Sequence, residues 1–161
     1  MAANIHIRSM TRSDKPSIMQ ILHNTPEFKP SEVVVAEEVI DCYLGDPRQS
    51  GYSTLVAEVD SVVVGYICYG PAPLTEGTWD IYWMAVAQGK RGQGIGGALM
   101  KSAEEEIQSA KGRLAIIETS SKPEYARTKH FHISHGYEVV GCIPDFYAPG
   151  DDKLILQKRL R

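Results

Sequence analysis

The 161 residues carry 17 Lys and Arg against 20 Asp and Glu, a net charge of −3 that gives no electrostatic case for a nucleic-acid partner. Apolar residues make up 43% and charged ones 23%, the composition of one soluble globular domain spanning residues 1–161 around one core. No apolar run is long enough to cross a membrane, and Met1-Ala2-Ala3-Asn4-Ile5-His6 lacks the basic and apolar stretches of a signal peptide. Cys42, Cys68 and Cys142 form an odd set without metal-like spacing, so reduced thiols in a cytoplasmic protein, and no metal site, are expected.

Ile5-His6-Ile7-Arg8 alternates as an opening strand. Thr11 or Ser13 then caps a helix with Pro16 in its first turn and an apolar stripe of Ile18, Ile21 and Leu22. A second helix is expected over Ser31–Leu44, with Ser31 as its cap. Val33, Val34, Ala36, Val39, Ile40 and Tyr43 should face the core, and Glu32, Glu37, Glu38 and Asp41 the solvent. Tyr52–Val59 and Ser61–Tyr69 read as a hairpin turning at Asp60-Ser61. After a Gly- and Pro-rich loop, Trp79–Val86 is a strand rich in aromatic and β-branched residues. The helix Gly96–Lys111 turns Leu99, Ala103 and Ile107 inward and Glu104, Glu105 and Glu106 mostly outward. Arg113–Thr119 should then lie parallel to Trp79–Val86. A last helix starts at Ser120-Ser121-Lys122-Pro123 and ends at Gly136. Tyr137–Ile143 and Lys153–Arg159 form a final pair joined by the aromatic loop Pro144–Asp152. The sum is an α+β sandwich: a mixed, mostly antiparallel sheet of about seven strands with a central parallel pair, flanked by four helices.

Between strand and helix, glycines crowd the stretch Arg91-Gly92-Gln93-Gly94-Ile95-Gly96-Gly97. Strand, glycine-rich turn and helix start bring successive N–H groups and the positive end of a helix dipole onto one anion, with Arg91 adding charge at the mouth. Two motifs match. Gly92–Gly97 satisfies G-x-G-x-x-G, with Glu118 near the offset of a ribose-binding acid, a dinucleotide reading. Against it, Ala87–Arg91 separates strand from glycines, and the tail after Glu118 is short for further βαβ units. Arg91–Gly96 also satisfies R-x-x-G-x-G. Together with the strand Ile81–Val86, the helix opening Gly97-Ala98-Leu99-Met100, and Thr128–Tyr137 ending in Gly-Tyr, it resembles the GNAT superfamily of acetyl-coenzyme A-dependent N-acetyltransferases. The resemblance covers Trp79 to Leu160.

That resemblance implies acetyl-coenzyme A as co-substrate. Its pantetheine arm would lie on the main chain of Met84, Ala85 and Val86, and its pyrophosphate on the amides of Arg91, Gly92, Gln93, Gly94, Ile95, Gly96 and Gly97. Asp80 stands where histone-acetylating members carry a glutamate base, and Glu118 on the neighbouring strand is a second candidate. His132 occupies the place of the family's tyrosine acid, able to accept a proton when neutral and to donate one as imidazolium, with Tyr125 as the alternative acid. Arg127 or Lys129 would reach the adenosine phosphates. The first two helices floor the family's acceptor site, making Phe28 a substrate contact or else a hydrophobic staple. Asp145, Asp151 and Asp152 beside Phe146 and Tyr147 suit a cationic amine against an aromatic wall. A small amine, a peptide N-terminus and a lysine all fit, and homodimers through the last strands are common in the family. The tyrosine replaced by His132 keeps open a different class, a degenerate domain that binds acetyl-coenzyme A as a sensor or structural subunit.

Overall fold

The computed structural model of the chain describes residues 4–160; the opening residues on which the signal-peptide reading partly rests lie outside them. Strands β1 (Ile5–Ser9), β2 (Ser53–Val59), β3 (Val62–Pro71), β4 (Thr78–Val86), β5 (Leu114–Ser120), β6 (Glu138–Ala148) and β7 (Asp151–Arg159) form one sheet. Its order is β1-β2-β3-β4-β5-β7-β6, with β4 and β5 parallel and the other pairs antiparallel. Helices α1 (Lys15–His23) and α2 (Pro30–Gly45) cover one face, while α3 (Ile95–Ser109), with α4 (Ala126–Ser134) beside it, covers the other. No described helix is long and apolar enough to cross a membrane.

Period-two alternation sends each strand's side chains both ways. Leu55, Ala57 and Val59 of β2 pack with Leu99, Ala103 and Ile107 of α3. Val56 joins Tyr66 and Cys68 against Ile18, Leu22 and Ile40 of α1 and α2. Burial pushes the Cys68 thiol up to about 12, so it behaves as a core hydrophobe. Asp60 and Ser61 take φ of 52° and 65°, the left-handed pair that a two-residue hairpin turn requires.

Four expectations need correction. Helix α2 starts at Pro30 with Lys29 before it, not at a Ser31 cap, because a proline at the first position presets φ and lacks only an N–H that would be unpaired there. Its buried positions are Val33, Ala36 and Ile40, and Val34 falls off that stripe, 56% exposed. On α3, Glu104 accepts the Tyr137 hydroxyl at 2.8 Å and Lys158 Nζ at 2.7 Å, and Glu106 accepts the Tyr69 hydroxyl. Two of the three acids therefore satisfy buried phenols and are not simply solvated. Finally, Pro144–Asp152 is not a loop: β6 runs on to Ala148 and turns at Pro149-Gly150. A register irregularity between Ile143 and Ala148, with Asp145 at φ 57°, carries the strand past Pro144, which an edge strand tolerates. Asp145 accepts the Gly150 N–H and Asp152 the Asp145 N–H, so both acids close this hairpin.

Gly70 on β3 shows how tightly the loop before β2 packs. A Cβ there would stand 2.3 Å from the Gly51 carbonyl oxygen, a backbone atom that cannot swing aside. Gly70→Ala is expected to destabilise the protein by about 3 kcal/mol. In urea the midpoint should fall with an unchanged slope.

Candidate active site

The site begins where β4 and β5 part. Their pairing runs from Thr78↔Leu114 to Ile81↔Ile117 and stops. At that point β4 carries one residue more than β3: Cys68 faces Trp83 and Tyr69 faces Ile81, leaving Tyr82 as a bulge. A bulge bends its strand and raises local twist. Trp83–Val86 therefore stays with β3, while β5 continues along β7 to Ser120. The gap is a cleft of about 1110 Å³.

One edge of β4 faces this cleft without a partner strand. The Ala87 N–H donates to the Val64 carbonyl at 2.8 Å, and antiparallel ladders alternate between paired and outward-facing residues. The main chain of Val86 and Met84 thus turns to the open edge, and that of Ala85 toward Tyr66 on β3. Of the three residues expected to contact pantetheine, Met84 and Val86 thus present their main chain to the cleft and Ala85 presents its own to β3. Buried N–H and C=O groups need partners, and a bound amide chain would supply them.

The glycines at the start of α3 divide their work. Gly92 and Gly94 adopt φ of 78° and 82° with open space around them, giving the left-handed turn into the helix. Gly96 and Gly97 make room for α4. A Cβ on them would come within 3.2 Å of Phe131 and 3.0 Å of His135 Nε2. Within the helix the N–H groups of Ile95, Gly96 and Gly97 have no acceptor, so they form an amide cradle at the positive helix end. Lys90 and Arg91 also line the cleft. Gln93 is exposed and does not. The Arg91 guanidinium lies 3.4 Å from both carboxylate oxygens of Glu27.

The other end of the cleft is acidic and aromatic. Asp80, Glu118, Glu32 and Asp151 line it, together with Tyr82 and Tyr147. Burial, then the charge of Glu118, raises the Asp80 pKa above the usual carboxylate range, with Tyr82 and Lys153 opposing. Glu118 itself is held by Lys153 Nζ at 2.8 Å. Asp151 is 3% exposed and accepts the Ser120 hydroxyl. Glu32, expected in solvent, faces the cleft instead, its pKa raised by burial against the opposing charge of Lys29. Phe28 lines the cleft and meets Trp83 edge-on at 5.9 Å, and Tyr52 meets Tyr82 at 5.5 Å. Phe146 lies off the lining, under Lys153 Nζ at 4.1 Å, so its ring already holds a cation.

One candidate acid is enclosed and the other is engaged. His132 is 4% exposed between Phe131 and Tyr137, and burial, then the charge of His135, lowers its pKa to about 4. Its Nδ1 is buried without a hydrogen-bond partner, and the lowered pKa favours the neutral ring over the imidazolium. The Tyr125 hydroxyl donates to the Glu27 carbonyl, and burial first raises its pKa to about 12. Sequence reading missed Glu32, Tyr82 and Glu27. Only Tyr82 left a signal, two residues from Asp80 along one strand.

Residues 50–139, more than half of the chain, match the family model for the acetyltransferase (GNAT) domain. The chain belongs to the GNAT acetyltransferase family. A GNAT chain of known structure from Desulfovibrio desulfuricans superposes with a TM-score of 0.94 at 34% identity, covering 98% of this chain and 99% of that one. An uncharacterized N-acetyltransferase of Methanocaldococcus jannaschii is 32% identical over 105 residues, 65% of this chain, and the match spans 64% of that protein. A ribosomal-protein-alanine N-acetyltransferase from Brucella melitensis is 29% identical with a TM-score of 0.77, over 96% of this chain and 99% of that one. The dinucleotide reading of this GNAT domain fails on topology. After β5 the chain returns in the antiparallel pair β6 and β7, so the parallel units a dinucleotide fold needs do not follow.

Proposed function

We propose that residues 1–161 act as one catalytic domain that transfers the acetyl group of acetyl-coenzyme A to a primary amine, both substrates meeting in the β4–β5 cleft. The observation that carries this is the cleft's polarity. An amide cradle with Lys90 and Arg91 suits phosphates at one end, and carboxylates among aromatic rings suit a cationic amine at the other. Acetyl-coenzyme A supplies a thioester whose carbonyl the amine attacks. Met84 and Val86 hold its amide arm on the open strand edge, and the Val86 N–H is the donor for the charge that develops on the thioester oxygen. Asp80 takes a proton from the amine, directly or through a water. Burial, and after it the charge of Glu118, keeps the Asp80 pKa raised, and Tyr82, Tyr147 and Phe28 form the wall around the acceptor. Neutral His132 shapes the cleft without donating a proton, and a thiol is acidic enough for the sulfur to leave as thiolate. Both small amines and peptide amines fit this reading, and β6, at the sheet edge, is the strand for a homodimer. The compartment is cytoplasmic, in keeping with three unpaired cysteines.

Calorimetry with acetyl-coenzyme A and with NADH tests the reading. Acetyl-coenzyme A is expected to bind and NADH not to, with thiol release on adding a primary amine from a mixed panel. NADH binding alone would sink it. Tight acetyl-coenzyme A binding without turnover on any amine would favour a sensor.

A further inference from the structure

Glu27 has no part in the transfer chemistry, yet it touches both lips of the cleft. It sits in the connection between α1 and α2, where Thr25 is buried, its hydroxyl donating to the Ile21 carbonyl at 2.7 Å, and the Phe28 N–H bonds the Thr25 carbonyl at 3.1 Å. Phe28 rests on Trp83 of β4. The Glu27 main-chain carbonyl accepts the Tyr125 hydroxyl from the β5 side, and its carboxylate faces Arg91 at the mouth of the amide cradle. One residue thus joins the acceptor wall to the phosphate end, across a separation of 64 residues in the chain.

We propose that the Arg91–Glu27 pair is a latch between the two substrate sites: it fastens the segment 25–29 at the mouth of the cleft and is released when cofactor phosphates take Arg91. The inference rests on reading the cleft as the acetyl-coenzyme A site. Both N···O distances are 3.4 Å, longer than a charge-assisted bond prefers. Both side chains are partly exposed, so the pair is weak in itself. A pyrophosphate brings more negative charge and a well-shaped acceptor for the same guanidinium fork. Glu27 then loses its partner and adds like charge beside the cradle, which drives the segment, with Phe28 and Lys29, away from the phosphate end. Glu27 is in this sense a positioning residue, setting when the acceptor wall is free to receive an amine.

The test uses coenzyme A as probe on wild type, Glu27→Gln and Glu27→Asp, with calorimetry, hydrogen exchange of residues 25–29 and steady-state kinetics. In Glu27→Gln, coenzyme A is expected to bind about three- to five-fold more tightly, because a competitor for Arg91 is gone. The segment 25–29 of the empty variant should exchange as fast as that of coenzyme A-bound wild type. The amine KM should change while kcat holds, and Glu27→Asp should move both readouts back toward wild type. A purely structural role for Glu27 would weaken coenzyme A binding or leave it unchanged. Either result, or exchange at 25–29 that ignores coenzyme A, overturns the latch. A wild type that binds no coenzyme A overturns the reading of the cleft and the latch with it.

Discussion

A Gly94→Asp protein is expected to fold normally and to lose about 100-fold or more in affinity for acetyl-coenzyme A. The position separates folding from binding unusually well. Nothing lies within 4 Å of a Cβ built there, so the side chain meets no obstacle. Its φ of 82° is a left-handed conformation that aspartate adopts at a cost of about 1 kcal/mol, a few degrees in Tm for a chain of this size. What the substitution changes is charge. A carboxylate at the head of α3 would stand beside a pyrophosphate held by the amide cradle; the repulsion is taken at a separation of about 5 Å. At an effective dielectric near 20, that repulsion is about 3 kcal/mol for a single pair of charges. Gly94→Asn supplies the control, with the same backbone demand and nearly the same volume but no charge, and it should stay within about ten-fold of wild type. Calorimetry on the two variants decides the point. Equal losses would mean that the backbone of the turn, and not the electrostatics of the cradle, governs binding.

Asp80→Asn should lower kcat/KM by about 100- to 1000-fold while acetyl-coenzyme A binding is unchanged, the loss expected when a general base is removed. The pH profile carries the sign. A base acts when deprotonated, so wild-type kcat/KM should rise with pH through the Asp80 pKa and level off above it. Burial and the neighbouring charge of Glu118 place that limb above the ordinary carboxylate range. Asp80→Asn should lose the limb, and Glu118→Gln should shift it toward acid, since a repelling charge has gone. The same shift bears on stability with the opposite sense. A carboxylate whose folded pKa is raised above its unfolded one favours the folded state at low pH, and that contribution is lost as pH rises through the folded value. Asp80→Asn is therefore expected to melt slightly higher than wild type at neutral pH even as it loses activity.

Much of this protein is legible in its sequence because its signals are local. Asp60-Ser61 marks a tight turn between two alternating runs, and the run from Arg91 to Gly97 marks a helix start built for an anion. The opening of α2 is less sharp, because Ser31 reads as a cap while Pro30 takes the first helical position. The features that escaped depend on a partner far along the chain. The bulge at Tyr82 exists only because β3 lacks a matching residue, so β4 alone gives no hint that it will part from β5. Glu104 and Glu106 look like solvent-facing acids until Tyr137 and Tyr69 arrive from other strands. His132 could be read as an acid because its sequence position says nothing of the two rings that enclose it.

Strand β6 closes the sheet with one edge unpaired, and Val139, Val140, Ile143 and Phe146 exposed along it. An uninterrupted apolar edge of that length is a template on which strands of other molecules stack without limit. Pro144 removes a donor from the middle of it, and the left-handed turn of Asp145 breaks the repeat immediately afterwards. The two residues act as a built-in guard against fibrillation: they confine any added strand to a short stretch on one side of the break, enough for a finite contact and too little for runaway growth. On this reading the proline and the aspartate serve solubility, at positions that do not line the cleft.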